Sequence, residues 1–118
     1  MKDFLMAFAH ATRGIIAAFI SERNLKVHFA IALATIAAGI YFQITAWEWC
    51  AVVICIGLVF AFEIMNTAIE DLVDLVTEEW TPLAGKIKDT AAGTVLVISI
   101  MSLVVGIIVF RKYIITGL

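Results

Sequence analysis

At 118 residues, 64% hydrophobic and only 15% charged, with a mean hydropathy of +1.08, the chain lies outside the soluble class, where about 45–50% apolar and 25% charged is usual. There is room for one domain, but a single core of that size cannot hide so much apolar surface, and disorder would need low hydrophobicity and high net charge. A net charge of −2 leaves no general footprint for nucleic acid. The chain reads as an all-α integral membrane protein.

Residues 1–26 come first. Their apolar positions, 4, 5, 8, 15, 16 and 19 with Thr12 as a weak member, fall on one helical face between Lys2, His10, Arg13, Glu22, Arg23 and Lys26. That pattern predicts an amphipathic helix lying in the membrane interface, and it lacks the clean apolar core of a signal peptide. Gly14 would weaken that helix or mark a bend.

Residues 29–46 carry no charge and span about 27 Å as a helix, enough for a first crossing. Trp47, Glu48 and Trp49 then read as an interfacial turn. A second crossing over 49–70 is apolar through Phe62 before Glu63, Asn66 and Glu70 appear, and a third covers 91–110 with Arg111 and Lys112 closing it. The expected architecture is therefore one surface helix plus three transmembrane helices. Six Lys or Arg flank the N-terminal segment and second loop (Lys2, Arg13, Arg23, Lys26, Lys86, Lys88), against two at the C-terminus. By the positive-inside rule the N-terminus and the second loop are cytoplasmic. Cys50 and Cys55, five apart, match no redox or zinc spacing and read as small apolar residues.

Three clusters are chemically suggestive. Glu63, Asn66, Glu70 and Asp74 lie at 0, +3, +7 and +11, within an arc of about 80° on one helix stripe roughly 16 Å long. A carboxylate at membrane depth marks a functional site by default, and a line of carboxylates would be relieved by a divalent cation such as Mg²⁺. Helix–helix hydrogen bonding is the plainer account of Asn66. Lys88 and Asp89 open the third crossing: the lysine is suited to a phosphate, and the aspartate to orienting it or helping a metal, while membrane anchoring with a charge-balanced first turn also accounts for them. Glu22, Arg23 and Asn24, with His28 nearby, form an elbow at the same membrane face as Glu70. Here Glu22 is placed to share a cation, and His28 reads as an interfacial hydrogen-bonding residue. No P-loop, GxGxxG or GxSxG motif is present.

On these residues (the run from Glu63 to Asp74, the run from Lys88 to Gly93, and Glu22-Arg23-Asn24) the chain resembles the prokaryotic diacylglycerol kinase family, which includes undecaprenol kinases. The resemblance implies a single membrane kinase domain over 1–118, a homotrimer with active sites shared between protomers, and transfer of phosphate from Mg²⁺-ATP to a lipid hydroxyl at the cytoplasmic face of a bacterial membrane. Carried over by position, it implies Glu63 as general base and Glu22 and Glu70 as metal ligands. Arg13, Gly14, Glu22, Glu70, Asp74, Lys88 and Asp89 would line the ATP site, and Asn66 would position the substrate. His10, Arg13-Gly14, the elbow with His28, and Glu48-Trp49 look more like the undecaprenol branch. Diacylglycerol is the alternative substrate, and a small proton-coupled transporter is the remoter alternative.

Overall fold

The turn at Gln43, Ile44 and Thr45 sets the register of the molecule, and it is built from local backbone chemistry. In the computed structural model, which describes residues 1–117, four helices follow in order: α1 Lys2–Ser21, α2 Arg23–Phe42, α3 Ala46–Val76 and α4 Pro82–Gly117. The uncharged stretch 29–46 does not run as one helix to its end. Gln43 takes a left-handed conformation (φ 53°, ψ 54°), Gln43 N–H donates to the Ile40 carbonyl and Ile44 N–H to that of Gly39, a Schellman ending. Thr45 then caps α3 in a reciprocal capping box, its hydroxyl accepting from Glu48 N–H and Glu48 Oε1 accepting from Thr45 N–H at 2.9 Å. Trp47 and Trp49 thus belong to the first turn of α3 and not to the turn before it.

Around this turn Ile44, Val52 and Val109 pack with Phe42, Trp49, Ile56, Phe110 and Tyr113. A Cβ on Gly39 would lie 2.7 Å from Trp49 Cη2, so the indole seats against bare backbone. Glu48 ties the end of α4 to this corner: it accepts from Tyr113 Oη at 2.5 Å and meets Lys112 Nζ at 3.0 Å. The Tyr113 hydroxyl, followed by Thr45 N–H and with help from Lys112, holds the Glu48 carboxyl down at about 2, below its ordinary 4.5. Because the folded value lies below the unfolded one, the contribution of ionised Glu48 is complete above pH 4.5 and is lost as pH falls through about 2. Thermal unfolding of Glu48→Gln in detergent is therefore expected to show a lower midpoint at neutral pH and a flatter profile across that window than the unaltered protein.

By length and composition all four helices suffice to cross a membrane, α1 included, where the sequence pattern assigns three crossings. Of the twenty residues of α1 only Ala18 is buried, and the helix rests lightly on α2 and α3. It runs unbroken through Gly14, with nothing within 4 Å of where a Cβ would be. α3 and α4 make the most extensive packing. At 31 and 36 residues they reach about 46 and 54 Å, well past a hydrocarbon core of about 30 Å, so each carries a segment beyond it. α4 starts at Pro82, a favoured first helical residue, with Thr81 Oγ1 accepting from Ala84 N–H. Lys86, Lys88 and Asp89 consequently stand in the first turns of α4. Cys55 is buried and Cys50 exposed, both as free thiols.

Candidate active site

The inward face of α3 changes character along its length. Val52, Cys55 and Val59 are buried, and the same face continues as Glu63, Asn66, Thr67 and Val73. The spacing that buries an apolar seam thus also buries a carboxylate. Glu63 is 2% exposed. Counting from Ala46, it lies about 26 Å along α3 and Asp74 about 42 Å, so the stripe runs from the edge of the hydrocarbon layer outward.

Glu63 Oε2 lies 3.6 Å from His28 Nε2 on α2, and Thr67 Oγ1 donates to the Glu63 carbonyl at 3.0 Å. One turn on, Asn66 Nδ2 donates to Glu70 Oε1 at 3.2 Å, while Asn66 Oδ1 is buried without a partner. An orphaned buried acceptor costs about 1–3 kcal/mol; it is the natural seat for a hydroxyl donor.

Glu22 joins from the α1–α2 elbow, where its backbone is extended (φ −107°, ψ 117°) and its N–H closes α1 on Ala18. Partial burial first, then the charges of Glu70, Glu63 and Asp71, raise its carboxyl above the usual value. That is the electrostatic mark of carboxylates gathered without a counter-charge. Hard oxygen donors in an acidic cluster fit Mg²⁺, which commonly takes one or two carboxylates and completes its shell with phosphates and water. Among the described residues no three His, Cys, Asp or Glu side chains form a cage of their own, so this is a partial donor set.

Lys88 bridges the start of α4 to the end of α3 through Asp74 Oδ1 at 2.7 Å. The hydrogen bond to Asp74 raises the Lys88 ammonium, with Glu70 adding to it. Lys88 is thus within the field of the stripe. Asp89, expected either to orient this lysine or to help a metal, does not pair with it here, since adjacent helical residues point about 100° apart and do not face each other. Asp89 instead lines a separate cleft of about 440 Å³ with Trp80, Gly85, Lys86 and Thr90. Arg13 and Gly14 are exposed on α1 and have no part in these contacts. One chain therefore assembles Glu63, Asn66, Glu70, Glu22, Asp74 and Lys88, and leaves Arg13, Gly14 and Asp89 outside.

An apolar groove of about 670 Å³ runs over α3 between α2 and α4, with His28 at one end and Arg111 towards the other. Sequence reasoning gave His28 no role at the site. The signal was there, since the residue adjoins the uncharged stretch beginning at Phe29, where an ionisable group is a functional candidate by default.

A family model described as prokaryotic diacylglycerol kinase matches residues 9–110. The chain is 40% identical to the undecaprenol kinase of Bacillus subtilis strain 168, covering 93% of this chain and 89% of that one. It is 34% identical to a diacylglycerol kinase of Synechocystis sp., over 88% of this chain and 60% of the other. The diacylglycerol kinase of Escherichia coli K12 is 26% identical, over 85% and 82% respectively.

Proposed function

The chain belongs to the prokaryotic diacylglycerol kinase family, and on that premise we propose that this multi-pass membrane lipid kinase phosphorylates the primary hydroxyl of undecaprenol with Mg²⁺-ATP at the cytoplasmic membrane face. One observation carries the proposal: a carboxylate buried on the inward face of α3 beside an amide whose oxygen lacks a donor. The preference for undecaprenol is supported by the greater identity to an undecaprenol kinase than to the diacylglycerol kinases. Six basic residues against two support the cytoplasmic orientation.

In this reading Asn66 positions the substrate, and the lipid hydroxyl turns its single O–H to Glu63, which removes the proton. Glu22 and Glu70 hold Mg²⁺, and Lys88 leaves Asp74 to meet the phosphates. A bound Mg²⁺ supplies charge neutralisation on the phosphate oxygens. Phosphoryl transfer asks mainly for positioning and charge, so no P-loop is required. Arg13, Gly14 and Asp89 serve the nucleotide side. Their separation from the Glu63 cluster within one chain, with the exposed apolar faces of all four helices, supports a homotrimer in which neighbouring protomers complete each site. α1 lies along the interface, and residues 1–118 act as one kinase domain with crossings near 29–46, 49–70 and 91–110.

The test is phosphate transfer from labelled ATP in mixed micelles, with undecaprenol and diacylglycerol offered separately and in competition. Preferential labelling of undecaprenol is expected; preference for diacylglycerol overturns the substrate assignment. Glu70→Gln keeps an acceptor for Asn66 Nδ2 but removes one negative charge. It is expected to raise the Mg²⁺ concentration for half-maximal activity by roughly tenfold or more. An unchanged Mg²⁺ titration would remove Glu70 from the metal site.

A further inference from the structure

A base as deeply buried as Glu63 has to be reset. If Glu63 takes the hydroxyl proton, each turnover leaves it protonated with 2% of its side chain exposed, while His28, 3.6 Å away, is 21% exposed. We propose that His28 is the proton exit for Glu63, carrying the substrate proton from the buried carboxyl to water at the membrane surface. The proposal rests on the assignment of Glu63 as base.

The step balances. The substrate O–H bond breaks as its oxygen bonds the terminal phosphorus, and the bond from that phosphorus to the departing ADP breaks with its electron pair leaving on ADP. The proton passes to Glu63 Oε2, then to His28 Nε2, and the imidazolium releases its Nδ1 proton to water. A turn of the ring that brings Nε2 to water then lets that nitrogen lose its proton as Nδ1 takes one up, which restores the starting tautomer. At 3.6 Å the two atoms stand beyond hydrogen-bond length, and an approach of about half an ångström, or one intervening water, makes the transfer possible. The surroundings favour this route. α3 presents the Glu63 carboxyl to the imidazole, and the elbow contributes Glu22, whose carboxyl lies in the field of Glu63 and Glu70. From α4 the groove that His28 closes receives Ser99 and Ser102, with its one charged residue, Arg111, towards the far end, and α1 contributes nothing to the lining. Of these groups His28 is the one within ion-pair distance of the buried base.

The test uses the full chain in mixed micelles with saturating Mg²⁺-ATP and undecaprenol, running Glu63→Gln in parallel. His28→Gln retains size and hydrogen bonding but cannot pass a proton through. Its kcat is expected to fall by about 100-fold, the low end for a positioned proton carrier, with KM for ATP and lipid changed by less than about twofold. His28→Ala is expected to lose as much and to regain rate as imidazole is added, which a packing role would not produce. His28→Gln at the full rate, or a His28→Ala loss that imidazole leaves untouched, overturns the relay. If His28→Ala does not fold, the His28→Gln rate decides. Full activity in Glu63→Gln would instead remove the base assignment and the relay with it, a result distinct from an inactive Glu63→Gln beside a fully active His28→Gln.

Discussion

Glu63→Gln is expected to lower kcat by about 10²- to 10⁴-fold, the usual contribution of a positioned general base, without loss of stability. The two effects separate because Glu63 is buried and, among the described residues, the one basic side chain within ion-pair distance is the His28 imidazole at 3.6 Å. Burying an ionised carboxylate without firm pairing is unfavourable, and the neutral amide removes that burden while keeping nearly the same shape. The variant should therefore unfold in detergent at the same temperature as the unaltered protein or a higher one, and should still bind ATP. A site that works against stability is common where activity needs it. Turnover at the unaltered rate would show that another group takes the proton.

Lys88→Ala is expected to cut kcat/KM for ATP by about 10- to 100-fold, the range for a lost hydrogen bond between charged groups, while leaving unfolding nearly unchanged. Its partner in the resting protein is Asp74 at 2.7 Å, and both side chains are well exposed, at 39% and 58%. Such a surface pair adds little to stability, so the lysine is free to exchange its carboxylate for a phosphate. Asp74→Asn is the informative comparison: it releases Lys88 without removing the ammonium, so a loss of ATP use as large as that of Lys88→Ala would give Asp74 a nucleotide contact of its own. A large fall in unfolding temperature for Lys88→Ala, with ATP kinetics intact, would make the pair a structural clasp between α3 and α4.

Much of this was legible in the chain. Composition alone called for a membrane, because 118 residues that are 64% hydrophobic exceed what one core can bury, and the folded protomer leaves apolar side chains exposed on every helix. The 3.6-residue period placed Glu63, Asn66, Glu70 and Asp74 on one stripe, and that followed from helix geometry without any knowledge of neighbours. The capping box of Thr45 and Glu48 was also present as a local pattern, although the uninterrupted apolar run over 29–46 concealed it.

What local periodicity could not supply were the contacts between helices. That Lys88 answers to Asp74 and not to the adjacent Asp89 depends on how α4 docks on α3, fourteen residues apart in sequence. That His28 reaches Glu63 depends on α2 lying against the polar end of the α3 seam. The bare backbone of Gly39 is occupied by an indole ten residues later because the Schellman turn folds α3 back at that point. Periodicity determines which residues share a face; it carries no information on which face of another helix will meet it. For the carboxylate stripe the first kind of knowledge sufficed. The partners of Glu63 and Asp74 emerged from side-chain packing across the α2–α3 and α3–α4 contacts, where shape and charge act between residues distant in the chain.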